Sequence, residues 1–197
     1  APFDEDVVWT YAHPTNGTSF VDVQRITVEE DDTAPTLICP EGVSAFTAPG
    51  RCDTSDVQGI ALSEASSVLM VGVGQYADSC SSGSDLVVEY ALSGATTVAR
   101  KEGSNAGTET FERGTTTVTY YVTDAENNTA SCSLTVTVED NQAPILSATP
   151  ANVTVECDMV PDAPTITASD NCDGSVSVSY SEVRTDGGCP HDYTMTL

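Results

Sequence analysis

Between Gly114 and Pro144 polar and apolar residues alternate almost without a slip. Val118, Tyr120 and Val122 are interleaved with threonines, and Cys132, Leu134, Val136 and Val138 repeat the pattern on the way back. A period of two is the mark of a strand with one face buried and one in water. The intervening Asp124-Ala-Glu126-Asn-Asn128 is a turn whose side chains can hydrogen-bond their own backbone. Glu139-Asp140 and then Ala143-Pro144 end the second strand, because proline cannot donate to a ladder. This stretch reads as a closing β-hairpin with a domain boundary after it.

The same punctuation occurs earlier. Val7 to Tyr11, a turn at His13-Pro-Thr-Asn-Gly17, and Phe20 to Val28 lead into Glu29-Glu30-Asp31-Asp32-Thr-Ala-Pro35. The segments RITVEEDDTAP and TVTVEDNQAP share one pattern, so the chain is an array with at least two boundaries. No apolar period of 3.6 with helix caps occurs, and the fold class expected is all-β.

Of the 197 residues, 30 are acidic and 6 basic, a net charge of −24. Such a surface repels nucleic-acid phosphates and anionic membranes alike. No apolar run reaches the ~18–20 residues that span a bilayer, so no direct membrane insertion is expected. Nor does any secretory leader appear, which reads as a mature chain or an excised part of one. Seven cysteines without a C-x-x-C pair argue against structural zinc and for disulfides in an oxidising, extracellular setting. The only histidines, His13 and His191, sit in no metal-binding or catalytic spacing, and G-x-S-x-G is absent. An enzyme is not expected.

Three segments carry a resemblance. DDTAPTLICP, GTTTVTYYVTDAENNTASCSLTVTVED and the QAP after it resemble the hyalin repeat, an immunoglobulin-like β-sandwich of secreted and cell-surface proteins. VTVECDMVPDAPTITASDNCDG, with CPHDYTMTL after it, resembles related repeats of very long bacterial surface adhesins. The resemblance implies tandem immunoglobulin-like sandwiches of hyalin-repeat type. It also places Cys39, on a first strand, beside Cys132, on the last.

Domain membership suggests the other bridges, Cys52–Cys80 at two turns of the middle unit and Cys172–Cys189 around the strand expected at 176–180. Cys157 is left over, because the closing turn that would hold its partner in the related repeats reads His13-Pro-Thr-Asn-Gly17 here. It is expected as a buried free thiol, or an intermolecular one.

Carboxylates, with one asparagine amide among them, cluster at turns and boundaries: Asp124 and Glu126; Glu139, Asp140 and Asn141; Glu30, Asp31 and Asp32; Asp170 and Asp173. Calcium takes ~6–8 oxygens from several loops, and it is the candidate cofactor. TVTVEDNQAP is also similar to the calcium linkers of cadherins. Asn16, Asn127 and Asn152 each open an Asn-x-Thr sequon and are candidate glycosylation sites.

The chain is expected to divide into three parts. Residues 1–33 are a closing hairpin without the body of its domain, in which Trp9 and Tyr11 are expected to face a core. Residues 34–144 are a complete sandwich, with strands at 60–62, 68–73, 86–92 and 96–100 and an exposed loop at 101–110. Residues 145–197 are a body without its closing hairpin, with strands at 153–155, 165–167, 176–180 and 193–197. A bridge between the second and third parts would speak against this division. Hairpin and body complement each other, so the expected partner is a second copy, joined head to tail into an extracellular filament by strand donation. The alternative is a stalk of a cell-surface adhesin that meets a glycan or a cell-surface ligand.

Overall fold

A computed structural model describes residues 3–12, 15–65, 74–148, 150–156, 159, 161–187 and 193–196. A hairpin of β1 (Phe3–Ala12) and β2 (Ser19–Val28) comes first. The middle of the chain holds β3 (Thr36–Ile38), β4 (Val43–Phe46), β5 (Asp53–Thr54), β6 (Ser63–Glu64) and β7 (Gln75–Ala77). It continues with β8 (Val87–Gly94), β9 (Val98–Glu102), β10 (Phe111–Glu112), β11 (Gly114–Thr123) and β12 (Thr129–Glu139). Four short strands come last: β13 (Ile145–Leu146), β14 (Ala168–Ser169), β15 (Val183–Asp186) and β16 (Tyr193–Thr196). The only helical turns among the described residues are two 3-10 turns, Gly83–Asp85 and Ala106–Thr108. The chain is all-β.

The middle unit is an immunoglobulin-like sandwich. One sheet runs β4-β12-β11-β8-β9 and the other β3-β7-β6, with β5 and β10 paired alongside. The alternation read from the sequence is what faces the two sheets together. Thr116, Val118, Tyr120 and Val122 on β11 are all fully buried, as is Val136 on β12, with Leu134 and Val138 nearly so. Outward positions carry hydroxyls: Thr119 meets Ser133, and Thr123 meets Thr129, each at 2.9 Å. Ile60, Leu62, Leu86, Tyr90, Leu92 and Phe111 complete the core from the other elements.

Residues 101–110 are not the exposed loop that their polarity suggests. The first of them extend β9, and the 3-10 turn carries Ala106 and Gly107 into the interior. Ala106 N–H donates to the Tyr120 hydroxyl at 2.9 Å, and Val57 N–H donates to Gly107 C=O at 3.0 Å. A side chain at Gly107 would place its Cβ 2.1 Å from the Val57 carbonyl oxygen. Gly107→Ala is therefore expected to destabilise the sandwich by about 1–3 kcal/mol through overpacking against backbone. Thermal unfolding monitored by circular dichroism checks it, and an unchanged midpoint contradicts this role for the turn.

The two flanking parts differ from their expectations. The hairpin β1–β2 touches no core: Trp9 is 63% exposed, Tyr11 77% and Phe20 76%. Of the strands expected after residue 145, 153–155 and 165–167 do not form. In 176–180 there is only a bridge between Val176 and Ala168. The last expected strand is present as β16, paired with β15. Short strands with both faces in water lack the second layer that stabilises a sheet. Ile60 and Leu62 are core residues outside any strand. The strand expected at 68–73, His13, His191, Cys157 and Cys189 lie outside the described residues.

Candidate functional site

Two arrangements could carry function, an apolar hairpin face and an acidic corner beside it. On β1–β2 the paired positions Phe3↔Val28, Glu5↔Ile26, Val7↔Gln24, Trp9↔Asp22 and Tyr11↔Phe20 share one face. That face carries Phe3, Val7, Trp9, Tyr11, Phe20, Ile26 and Val28. The opposite face holds Val8, Val21 and Val23, together with an exposed Asp4–Arg25 ion pair at 2.7 Å.

The buried face of β11–β12 is built the same way. Its five rungs are Gly114↔Val138, Thr116↔Val136, Val118↔Leu134, Tyr120↔Cys132 and Val122↔Ala130. Rung by rung, Trp9 stands where Tyr120 stands, and Ile26 and Val28 where Val136 and Val138 stand. The match fails at Asp22 and Gln24, which occupy the places of Cys132 and Leu134. The residues that form a core in one hairpin lie in solvent in the other.

The acidic corner joins the hairpin's exit to the turn of β11–β12. Asp124, only 4% exposed, organises that turn. Its Oδ1 accepts from Glu126 N–H at 3.0 Å and Asn128 N–H at 2.8 Å, and its Oδ2 from Asn128 Nδ2 at 2.9 Å. Asn127, in the left-handed region at φ 70°, lets the chain reverse. Asn128 Nδ2 also donates to the Asp31 carbonyl at 3.0 Å, which draws the linker onto the turn. Carboxylate oxygens of Asp31, Asp124 and Glu126 then lie within 4.8 Å of one another. Asp31 Oδ2 is buried and has no hydrogen-bond partner. Three carboxylates, of which that of Asp31 has an unpartnered oxygen, are hard donors of the kind calcium takes, and an ion there would draw its remaining ligands from water or carbonyls.

A second group, Asp140, Asp170 and Cys172, fits calcium less well, because Cys172 is bonded to Cys52 and leaves two carboxylates. Of the other candidates, Glu30, Asp32, Glu139 and Asp173 join neither group, and these and Asn141 are exposed. Asp173 instead pairs with Arg113 at 2.9 Å. Hydrogen bonds from the Thr33 hydroxyl and N–H hold the Asp31 carboxyl below the ordinary carboxylate value. The Gln142 N–H does the same for Asp140, helped by Thr47. The stability these two groups contribute is present above the unfolded carboxylate value and lost as pH falls through their lower folded values.

The bridges are Cys39–Cys132 and Cys52–Cys172, with Cα atoms 5.7 and 4.9 Å apart. The second corrects both pairings expected from domain membership: Cys52 does not meet Cys80, and Cys172 does not meet Cys189. Cys80 is free and exposed. The reason is that the Asp170–Asp173 turn folds back onto the sandwich. There Asn171 Nδ2 donates to the Arg51 carbonyl at 2.6 Å, beside the Arg113–Asp173 pair. The bridge crosses the boundary drawn at residue 144, which speaks against the division expected there, and tethers the Asp170–Asp173 turn to the sandwich. The sequon asparagines Asn16, Asn127 and Asn152 are all exposed.

No helix among the described residues is long and apolar enough to cross a membrane. The disulfides fit an extracellular location. No curated protein and no solved structure matches the chain. Residues 86–138, from the start of β8 almost to the end of β12, match the family model described as HYR domain. The match falls within the stretch that resembles the hyalin repeat.

Proposed function

We propose that this chain is a structural protomer of an extracellular filament, in which the β1–β2 hairpin of one copy completes the 145–197 body of the next. The carrying observation is the hairpin face. Trp9, Tyr11 and Phe20 lie in solvent, in the register that buries Val118, Tyr120, Val122 and their partners in the sandwich. A lone two-stranded hairpin is marginal in water, and an exposed apolar strand pair invites association. The body offers the complementary deficit, with Ile145 at 73%, Val153 at 65% and Tyr180 at 67% exposure. A head-to-tail contact between unlike surfaces is open-ended and generates a fibre.

The chain's single tryptophan reports on this contact. On dilution from assembled material, the Trp9 emission is expected to shift to longer wavelength and become accessible to acrylamide. An emission that stays red and fully quenchable at every concentration contradicts the proposal. The HYR match favours a second reading, a stalk of a long adhesin with a glycan or surface ligand, in which the same contacts occur between successive segments of one chain. That reading gives a blue, concentration-independent emission only from a longer chain.

Calcium at Asp31, Asp124 and Glu126 would stiffen the junction between hairpin and sandwich, and glycans on Asn16, Asn127 and Asn152 would coat the fibre. Calcium bound at a hundredfold excess over its Kd stabilises the native state by about 2.7 kcal/mol. Adding EDTA is therefore expected to lower the thermal midpoint of the chain by several degrees. The drop should vanish in Asp31→Asn and persist in the exposed control Glu41→Gln. Identical midpoints with calcium and with EDTA remove the ion from the junction.

A further inference from the structure

We infer that Trp9 of one copy pairs across strands with Tyr180 of the next, in the place that Tyr120 and Tyr90 hold in the sandwich. The inference rests on the complementation reading and specifies its register. On the donor side, Trp9 is the fourth rung of the apolar face of β1–β2, as Tyr120 is of β11–β12.

The acceptor side repeats the sandwich in its local geometry. β3 comes after Pro35 and pairs Thr36 with Ala77, directly before Asp78. β13 comes after Pro144 and pairs Ile145 with Ser169, directly before Asp170. Asp78 Oδ1 then accepts from the N–H groups of Cys80 and Ser81, both at 2.8 Å. Asp170 Oδ1 accepts from those of Cys172 and Asp173, at 2.8 and 3.0 Å. From the first turn the chain enters β8 through Leu86, Val88 and Tyr90. From the second, which is shorter, it runs through Val176, Val178 and Tyr180 with the same spacing of two.

In the sandwich Tyr90 and Tyr120 are directly paired across β8 and β11. Their rings meet edge to face, with centroids 6.0 Å apart. Tyr180 and Trp9 are the corresponding aromatic residues, and each is about two-thirds exposed in the single chain, at 67% and 63%. Residues 177–180 belong to no sheet, so no strand among the described residues pairs with them. The occupant is a second copy, because the hairpin that fits this segment is the chain's own and lies unpacked.

Directly paired residues of neighbouring antiparallel strands have Cα atoms ~4.5–5.5 Å apart, within the ~4.4–6.8 Å that a disulfide spans. The test combines Trp9→Cys with Tyr180→Cys in a Cys80→Ser background, using a mixture of isotopically light and heavy chains oxidised under assembly conditions. Peptide mapping is expected to find a bond between positions 9 and 180 that joins light to heavy chains. Val8→Cys, on the opposite face, is expected to give none with Tyr180→Cys. Filaments that form with no bond between positions 9 and 180, or with position 8 bonding as well, overturn the register and leave complementation standing. Loss of both filaments and intermolecular bonds, with filaments normal in the Cys80→Ser parent, also overturns it if the conservative pair Trp9→Phe and Tyr180→Phe assembles normally. Absence of filaments in the parent itself removes the complementation reading.

Discussion

Tyr120→Ala is expected to cost the sandwich about 3–5 kcal/mol, the loss typical of truncating a fully buried aromatic residue. Tyr120 has no exposure to solvent and joins three separate pieces of chain. Its ring packs against Tyr90 from the neighbouring strand. Its hydroxyl donates to the Ile60 carbonyl at 2.6 Å and accepts from Ala106 N–H at 2.9 Å. Burial pushes the phenol pKa up, so the group stays a neutral donor through the physiological range. Tyr120→Phe isolates the polar part. It leaves the Ile60 carbonyl and the Ala106 N–H unpartnered in the interior, at a cost of about 1–3 kcal/mol. Chemical denaturation of both variants checks the ordering, in which alanine costs more than phenylalanine and both more than Tyr121→Phe on the outer face. If Tyr120→Phe matches the parent, the hydroxyl does not anchor the 3-10 turn.

Much of the sandwich is legible in its sequence because each strand has one wet face and one dry one. The alternation through Val118, Tyr120 and Val122, and through Leu134, Val136 and Val138, is a direct imprint of that asymmetry. The buried turn at Ala106 is hidden for the opposite reason. It contributes one small apolar residue, and its inward pull comes from a hydroxyl on a strand further along the chain. The bridge between Cys52 and Cys172 is hidden too, since domain membership puts them apart and only the docking of the Asp170–Asp173 turn brings them together. The acidic corner is half visible. Asp124 and Asp31 stand out as residue types at a turn and a boundary. Their meeting depends on Asn128 reaching the Asp31 carbonyl, which no spacing encodes. The hairpin is the instructive failure. Its pattern promises a core for Trp9 and Tyr11, and both side chains lie in solvent with no core against them among the described residues.

Charge sets the conditions under which the proposed contacts would form. At a net charge of −24, copies repel one another at low ionic strength, and screening over ~8–10 Å at physiological salt weakens that repulsion. Association by the apolar face should accordingly strengthen from low to moderate salt.

Removing the hairpin is the second change with a large expected effect, and it bears on the central claim. Among the described residues every member of the buried core falls within 36–139, so the sandwich is expected to keep its packing without β1 and β2. The variant lacking residues 3–28 is therefore expected to retain the cooperative unfolding of the sandwich while losing polymerisation. Its 145–197 body remains open, and a synthetic peptide of residues 3–28 is expected to bind it one to one and protect it from proteolysis. The decisive measurement is electron microscopy, with sedimentation velocity, of the parent chain, the deletion variant and the variant with added peptide. Strand donation predicts filaments from the parent, no filaments from the variant, and peptide-capped single copies from the mixture. Filaments of normal form from the variant would contradict it outright.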